Sequence, residues 1–184
     1  MVNVALSLAQ VVLALALVVL NGFFVAAEFA FVRIRGTSVE QLAEEGRTGA
    51  GTLQEVMVNL DDYLATTQLG ITIASLGLGW VGEPAVAALI EPVLEPILPA
   101  GLIHLVAFAI GFSIITFLHV VFGELAPKTF AIQEAERVAF VVAPLMKFFY
   151  YVFVPGIVVF NGTANYFTSL VGVSPASEGE ETHT

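Results

Sequence analysis

The sequence predicts an all-α membrane protein: three transmembrane helices, a pair of short helices after the first, and a further apolar helix on the membrane surface. Of its 184 residues, 58% are hydrophobic and only 12% are charged. A soluble domain of this length could not bury so much apolar surface. Two charge-free runs, residues 63–82 and 103–122, each have about the 20 residues that a membrane span needs.

The first predicted span has no charged side chain before Glu28. No basic residue precedes its apolar run, and the run is longer than the apolar core of a signal peptide, so we expect a membrane helix and not a cleaved leader. The chain contains no cysteine, which excludes disulfides and thiolate metal sites.

Residues 37–60 between the first two spans have the pattern of two short amphipathic helices separated by GRTGAG. Thr37 or Ser38 is the expected N-cap of the first short helix, and Asp61 or Asp62 that of the second span.

The basic residues predict the orientation in the membrane. Three follow the first span and three follow the third, whereas the loop at 83–101 is acidic and rich in proline. By the positive-inside rule the N-terminus is outside, residues 33–60 are cytoplasmic, and the chain from Lys128 onward is cytoplasmic. The basic residues are Arg33, Arg35, Arg47, Lys128, Arg137 and Lys147.

Residues 140–173 leave two alternatives open. They are apolar enough to cross the membrane, but Lys147 lies in the middle and Pro144 and Pro155 interrupt the run. The aromatic cluster KFFYYVF is typical of a helix at the membrane interface. We therefore favour a surface helix over a fourth span. The polar residues 174–184 are expected to be a linker.

Each span also carries polar residues, which in lipid should face a partner helix or a cavity. If these residues do not bind a cation, Asn21 could join helices, and the hydroxyl groups could hydrogen-bond to carbonyls of their own preceding turn. We expect Glu28 to pair with Arg33 or Arg35 at the cytoplasmic interface, with cation binding as the alternative. We expect His119 to be a hydrogen-bonded packing residue, with a role as metal ligand as the alternative. The polar stripes are Asn21 with Glu28; Gln68, Thr72, Ser75 and Gly79; and Ser113, Thr116 and Glu124.

The end of the third span, FLHVVFGELAPKTFA, predicts a cation site. Glu124 follows Gly123, and Pro127 removes a backbone donor and breaks the helix. Freed carbonyl groups and one carboxylate, lined by hydroxyls, form an all-oxygen site of the kind that Mg²⁺ prefers. The alternative is that Glu124 only pairs with Lys128.

Three stretches resemble the transmembrane domain of the CorC/CNNM family of magnesium transporters or efflux proteins: LNGFFVAAEFAFVRIR, ATTQLGITIASLGLGWVGEP and HVVFGELAPKTFAI. The resemblance implies a domain over 1–173 with three spans, cytoplasmic helices after the first span and a juxtamembrane belt helix. It also implies a homodimer in the cell membrane and cytosolic CBS domains in the full-length protein.

The resemblance further implies a dehydrated Mg²⁺ held between helices, with Na⁺ as the candidate coupling ion. The implied ligands are Glu124, Gly123, Thr72, Ser75, Gln68 and Asn21, and Glu28, Pro127 and Lys128 have structural or pathway roles. The sequence departs from the family pattern in two places. Val25 offers no hydroxyl where relatives have serine, and Thr72 and Ser75 replace amides.

The predicted function is therefore the membrane part of a divalent-cation transporter. The alternative is a membrane-anchoring and dimerising module whose polar stripes only join helices. No nucleophile–base pair is recognisable, so we do not expect an enzyme. The net charge of −10 gives no reason to expect a nucleic-acid partner.

Overall fold

The computed structural model describes residues 4–34 and 36–172, where the chain forms helices joined by short turns. The predicted linker at 174–184 lies outside the described residues. One π-helical segment, called here the π segment, lies between α5 and α6. The elements are α1 Val4–Arg33, α2 Gly36–Glu44, α3 Ala50–Val58, α4 Leu60–Leu94, α5 Ala100–Leu118, the π segment His119–Leu125, α6 Ala126–Gln133 and α7 Ala135–Leu170.

Four helices in the described residues are long and apolar enough to cross a membrane. They are Ala5–Arg33, Leu60–Leu94, Ala100–Gln133 and Ala135–Leu170, and the third combines α5, the π segment and α6. The predicted class, an all-α multi-pass membrane protein, is confirmed at this level. By length and composition alone, α7 could be a fourth membrane span.

The contact between α1 and α4 depends on small residues. A Cβ atom on Gly70 would lie 2.5 Å from the Phe24 ring, so a glycine is needed for Phe24 to be buried there. Gly82 likewise admits Ala14 and Ile115. The glycines of α4 therefore serve close packing, and α4 stays helical throughout.

The predicted loop at 83–101 is mostly helix, so that prediction was wrong. α4 continues through Pro84 and Pro92 to Leu94. Packing explains why the prolines do not end it: a Cβ on Gly111 of α5 would lie 3.0 Å from the Ala87 nitrogen. The two helices thus meet backbone to backbone beside Pro84.

The predicted pair of short helices is present as α2 and α3. Gly46 and Gly49 in the turn between them have φ angles of 69° and 89°, a conformation that glycine adopts without strain. The predicted caps were wrong, because α2 begins at Gly36 and α4 at Leu60. Thr37 and Ser38 thus lie inside α2. Asp61 and Asp62 lie in the first turn of α4, where carboxylates interact favourably with the helix dipole.

α7 is one uninterrupted helix that contains Pro144 and Pro155, so the predicted interruptions are absent. Its first half is tied to the short helices, since Lys147 Nζ lies 2.6 Å from Glu55 of α3. Farther along, Tyr150 stacks on Tyr63 with ring centroids 5.0 Å apart. Aromatic and ionic contacts with three other helices therefore hold α7 in place despite its prolines.

Candidate cation site

The π segment changes how side chains are presented at the end of the third apolar helix. In an α-helix, residues five apart point about 140° away from each other. The i→i+5 bonding of a π-helix brings such residues to one side, and here His119 Nε2 lies 3.4 Å from Glu124 Oε1. The predicted helix break at Pro127 was wrong: the winding changes, and the helix continues as α6.

The carbonyl group of Gly123 accepts a hydrogen bond from another helix. Pro127 has no N–H, so the carbonyl four residues before it lacks its α-helical donor. Asn21 Nδ2 of α1 donates to this oxygen at 2.9 Å, and Asn21 is fully buried. Proline therefore frees a carbonyl as predicted, but an amide from α1 satisfies it.

Two glycines let α1 approach the π segment closely. A Cβ on Gly123 would lie 3.0 Å from His119 Cδ2 and 3.2 Å from Asn21 Nδ2. A Cβ on Gly22 would lie 2.9 Å from Pro127 Cγ. Any larger residue at either position would push the polar groups apart.

Ser75 brings α4 into the same cluster. Its hydroxyl donates to Asn21 Oδ1 at 3.1 Å and lies 3.2 Å from His119 Nε2. The bond to the Gly123 carbonyl fixes which end of the Asn21 amide is the donor, so Oδ1 must accept from Ser75. With the Ser75 proton used in this way, the His119 tautomer protonated at Nε2 is the one that can donate to Ser75 Oγ.

Four of the predicted site residues therefore come together, and His119, which was not predicted as a partner of theirs, joins them. Asn21, Ser75, Gly123 and Glu124 form a continuous polar cluster with His119, drawn from α1, α4 and the π segment. The Glu124 side chain is 47% exposed and that of His119 is 21% exposed. The carboxylate thus lies at an accessible edge of an otherwise enclosed group.

His119 was predicted to be a hydrogen-bonded packing residue, and its hydrogen bonding is confirmed. Its pairing with Glu124 was missed, because an α-helical spacing places the two residues on different sides. A proline closely following the carboxylate was the available signal for altered winding. The predicted alternative partner of Glu124, Lys128, instead places its Nζ 4.5 Å from the centroid of the Phe29 ring.

Gln68 and Thr72 lie elsewhere on α4. The exposed Thr72 hydroxyl donates to the Gln68 carbonyl of its own helix at 2.9 Å. Both residues line an open cleft between α4 and α7, where Asn161 adds a third polar side chain. The predicted α4 stripe is therefore divided: Ser75 faces α1, whereas Gln68 and Thr72 face the cleft.

Glu28 belongs to a second polar cluster. The Gln68 side chain is its hydrogen-bonding partner, and the Lys128 ammonium group acts on it through its charge. The sequence predicts a pair of Glu28 with Arg33 or Arg35. Within the described residues the cation that acts on Glu28 is Lys128, and Arg35 lies outside them.

The remaining polar residues of the third span do not join the site. Ser113 and Thr116 are exposed, and the Ser113 hydroxyl donates to the carbonyl of Ala109 in its own helix at 2.7 Å. The described residues hold no group of three His, Cys, Asp or Glu side chains suited to a metal ion. Glu124 is thus the one carboxylate among neutral candidate ligands.

Comparisons with known proteins agree over most of the chain. A family model described as the cyclin M transmembrane N-terminal domain matches residues 12–184. The UPF0053 protein YhdT of Bacillus subtilis is 46% identical over 169 residues, which are 91% of this chain and 37% of the relative. The UPF0053 protein YhdP of the same bacterium is 42% identical over 180 residues, 97% of this chain and 40% of the relative.

A second bacterium provides a similar match. The uncharacterized protein MT1889 of Mycobacterium tuberculosis is 40% identical over 172 residues, which are 93% of this chain and 49% of the relative. The chain thus spans between about two fifths and one half of the length of these relatives.

Proposed function

The chain belongs to the family of the cyclin M transmembrane N-terminal domain, and from that premise we propose that it is the membrane part of a Mg²⁺ transporter. The observation that carries the proposal is the cluster of oxygens around Glu124. Asn21, Ser75, Gly123 and Glu124 each contribute an oxygen from one of three elements that meet there. Mg²⁺ prefers oxygen ligands, and one carboxylate among neutral oxygens suits a partly dehydrated divalent ion.

We further propose that the second cluster lies on the ion's route. Glu28, Gln68 and Thr72 offer oxygens between the cytoplasmic helices and Ser75, and Lys128 supplies a positive charge beside Glu28 when no ion is present. Ionisable groups inside a membrane commonly mark such pathways. Na⁺ is the proposed coupling ion, since it also binds to carbonyl and carboxylate oxygens.

The proposed topology has three spans, an outside N-terminus and α7 as a cytoplasmic belt. Two contacts support it by holding the start of α7 on the basic turn between α2 and α3. Arg47 lies 2.8 Å from Glu136 and 4.5 Å from the Phe140 ring. α7 and α4 also share the cleft that Thr72 and Asn161 line, in the first half of α4.

The protein is proposed to function as a homodimer in the cell membrane. YhdT and YhdP are each more than twice as long as the region that matches this chain. The rest of their length could hold further domains. Cytosolic CBS domains are the proposed occupants of that length.

A second candidate function is a membrane anchor without transport activity. It is favoured by one observation: Asn21, Ser75 and the Gly123 carbonyl already satisfy one another, as residues that only join helices would. The two functions differ in whether the cluster binds an ion.

Isothermal titration of the detergent-purified chain with Mg²⁺, Mn²⁺, Ca²⁺ and Na⁺ tests the proposal. We expect saturable heat with Mg²⁺ that is lost in Glu124→Gln and kept in Glu91→Gln. Glu91 is a matched control, because its carboxylate also pairs with a histidine, at 2.8 Å from His104. Equal Mg²⁺ binding in both variants would favour the anchor.

A further inference from the structure

The candidate ligands of the Glu124 site are already engaged by protein donors. The Gly123 carbonyl accepts from Asn21 Nδ2, Asn21 Oδ1 accepts from Ser75, and Ser75 Oγ accepts from His119 Nε2. The same imidazole nitrogen lies 3.4 Å from Glu124 Oε1. Each oxygen that a cation would need therefore already accepts, or lies beside, a donor of the protein: His119 beside Ser75, Ser75 to Asn21, and Asn21 to the Gly123 carbonyl.

His119 differs from the other donors in this series. It contacts both Ser75 and Glu124, whereas Asn21 Nδ2 contacts only a carbonyl group. Its donor bond directs a positive hydrogen at the position where a cation's charge would lie. A cation and this N–H group therefore compete for the same two oxygens.

We infer that His119 competes with a cation by donating to Ser75 Oγ beside Glu124 Oε1, so that Mg²⁺ binds only after the imidazole has moved away. This inference rests on the proposed function. In the arrangement seen here, the imidazole N–H occupies the oxygens that would otherwise face a cation. With the imidazole turned away, Ser75 Oγ and Glu124 Oε1 would be free to accept a cation.

The chemistry of the ion argues that His119 leaves and does not become a ligand. Mg²⁺ takes oxygen ligands, whereas imidazole nitrogen suits zinc, copper, iron and nickel. The imidazole is also not fully enclosed, since 21% of its side chain is exposed. It is therefore not locked in place on every side.

The test compares two variants of His119 in Mg²⁺ titrations of the purified chain. His119→Leu removes the donor and roughly keeps the volume. His119→Gln keeps an N–H group at a similar reach and is the matched control. Because the hydrogen bond to Ser75 must break before the ion binds, loss of the competing donor should lower the Mg²⁺ dissociation constant roughly tenfold.

The glutamine variant should bind Mg²⁺ as the wild type does. If the leucine variant does not remain monodisperse in detergent, His119→Met replaces it, since methionine adapts to irregular space. Unchanged or weaker Mg²⁺ binding in the variant without the donor would overturn the inference. The weaker binding would identify His119 as a ligand or as a support of the site.

Glu124→Gln separates this failure from failure of the proposed function. If the wild type binds Mg²⁺ and Glu124→Gln does not, the site is established and the His119 variants decide on the competition alone. If Glu124→Gln binds as the wild type does, or if no protein in the series binds Mg²⁺, the cation site and the competition both fail. Binding by the leucine variant alone would support both.

Discussion

At the scale of single residues, Asn21 joins three elements through one buried amide group. Its donor end contacts the Gly123 carbonyl, and its acceptor end contacts Ser75 of α4. Leucine at this position has a similar size and no hydrogen-bonding group. We expect Asn21→Leu to lower the free energy of unfolding by about 1–2 kcal/mol, because two polar partners lose their bonds inside the protein.

The measurement for Asn21 is denaturant unfolding in detergent. Asn165→Leu is the control, since Asn165 is an exposed residue of α7. Equal stability of both variants would mean that the amide does not join the helices.

Much of the site could be predicted from residue type. Glu124, Gly123 and Asn21 stand out because a carboxylate, a glycine four residues before a proline and a buried amide are rare in an apolar helix. The position of Thr72 could not be predicted, since a hydroxyl at helical spacing is equally able to return to its own turn. The His119–Glu124 contact depends on π winding, which no local pattern specifies fully.

At the scale of elements, the contact between α1 and α4 depends on Gly70. A Cβ there would lie 2.5 Å from Phe24, and a buried ring can move only by displacing its neighbours. We expect Gly70→Ala to destabilise the protein by about 1–3 kcal/mol through overpacking. Thermal unfolding of Gly70→Ala against the wild type measures the effect.

Gly162 of α7 provides the matched helical control. A Cβ on it would meet nothing within 4 Å, so Gly162→Ala should stabilise its helix by up to about 1 kcal/mol through the higher helix propensity of alanine. Destabilisation by both substitutions, or by neither, would contradict the packing described for Gly70.

Helical elements were predicted better than their ends. Apolar runs identified α1, α4 and α5, and the glycine-rich turn identified α2 and α3. The prolines at 84, 92, 144 and 155 misled the prediction, because α4 and α7 continue through them while packed against other helices. Such packing comes from residues distant in the sequence, for example Gly111.

At the scale of the whole molecule, the distribution of basic residues gives a testable orientation. The chain has no cysteine, so each introduced cysteine is a unique reporter. We expect Pro96→Cys to react with an impermeant thiol reagent applied to intact cells. Thr48→Cys and Ser169→Cys should react only after the membrane is permeabilised, because both residues are proposed to be cytoplasmic.

Ser169 decides the role of α7. If its cysteine reacts from outside as the one at position 96 does, α7 crosses the membrane and the belt proposal is wrong. Labelling of position 48 from outside, with position 96 protected, would reverse the whole orientation.

The central claim is that Glu124 binds Mg²⁺, and its most direct test is the melting temperature with and without millimolar Mg²⁺. A ligand that binds only the folded state raises that temperature. We predict that the wild type and Glu91→Gln are stabilised, that Thr72→Val keeps most of the shift, and that Glu124→Gln loses it while remaining folded. A full Mg²⁺-induced shift in Glu124→Gln would contradict the account.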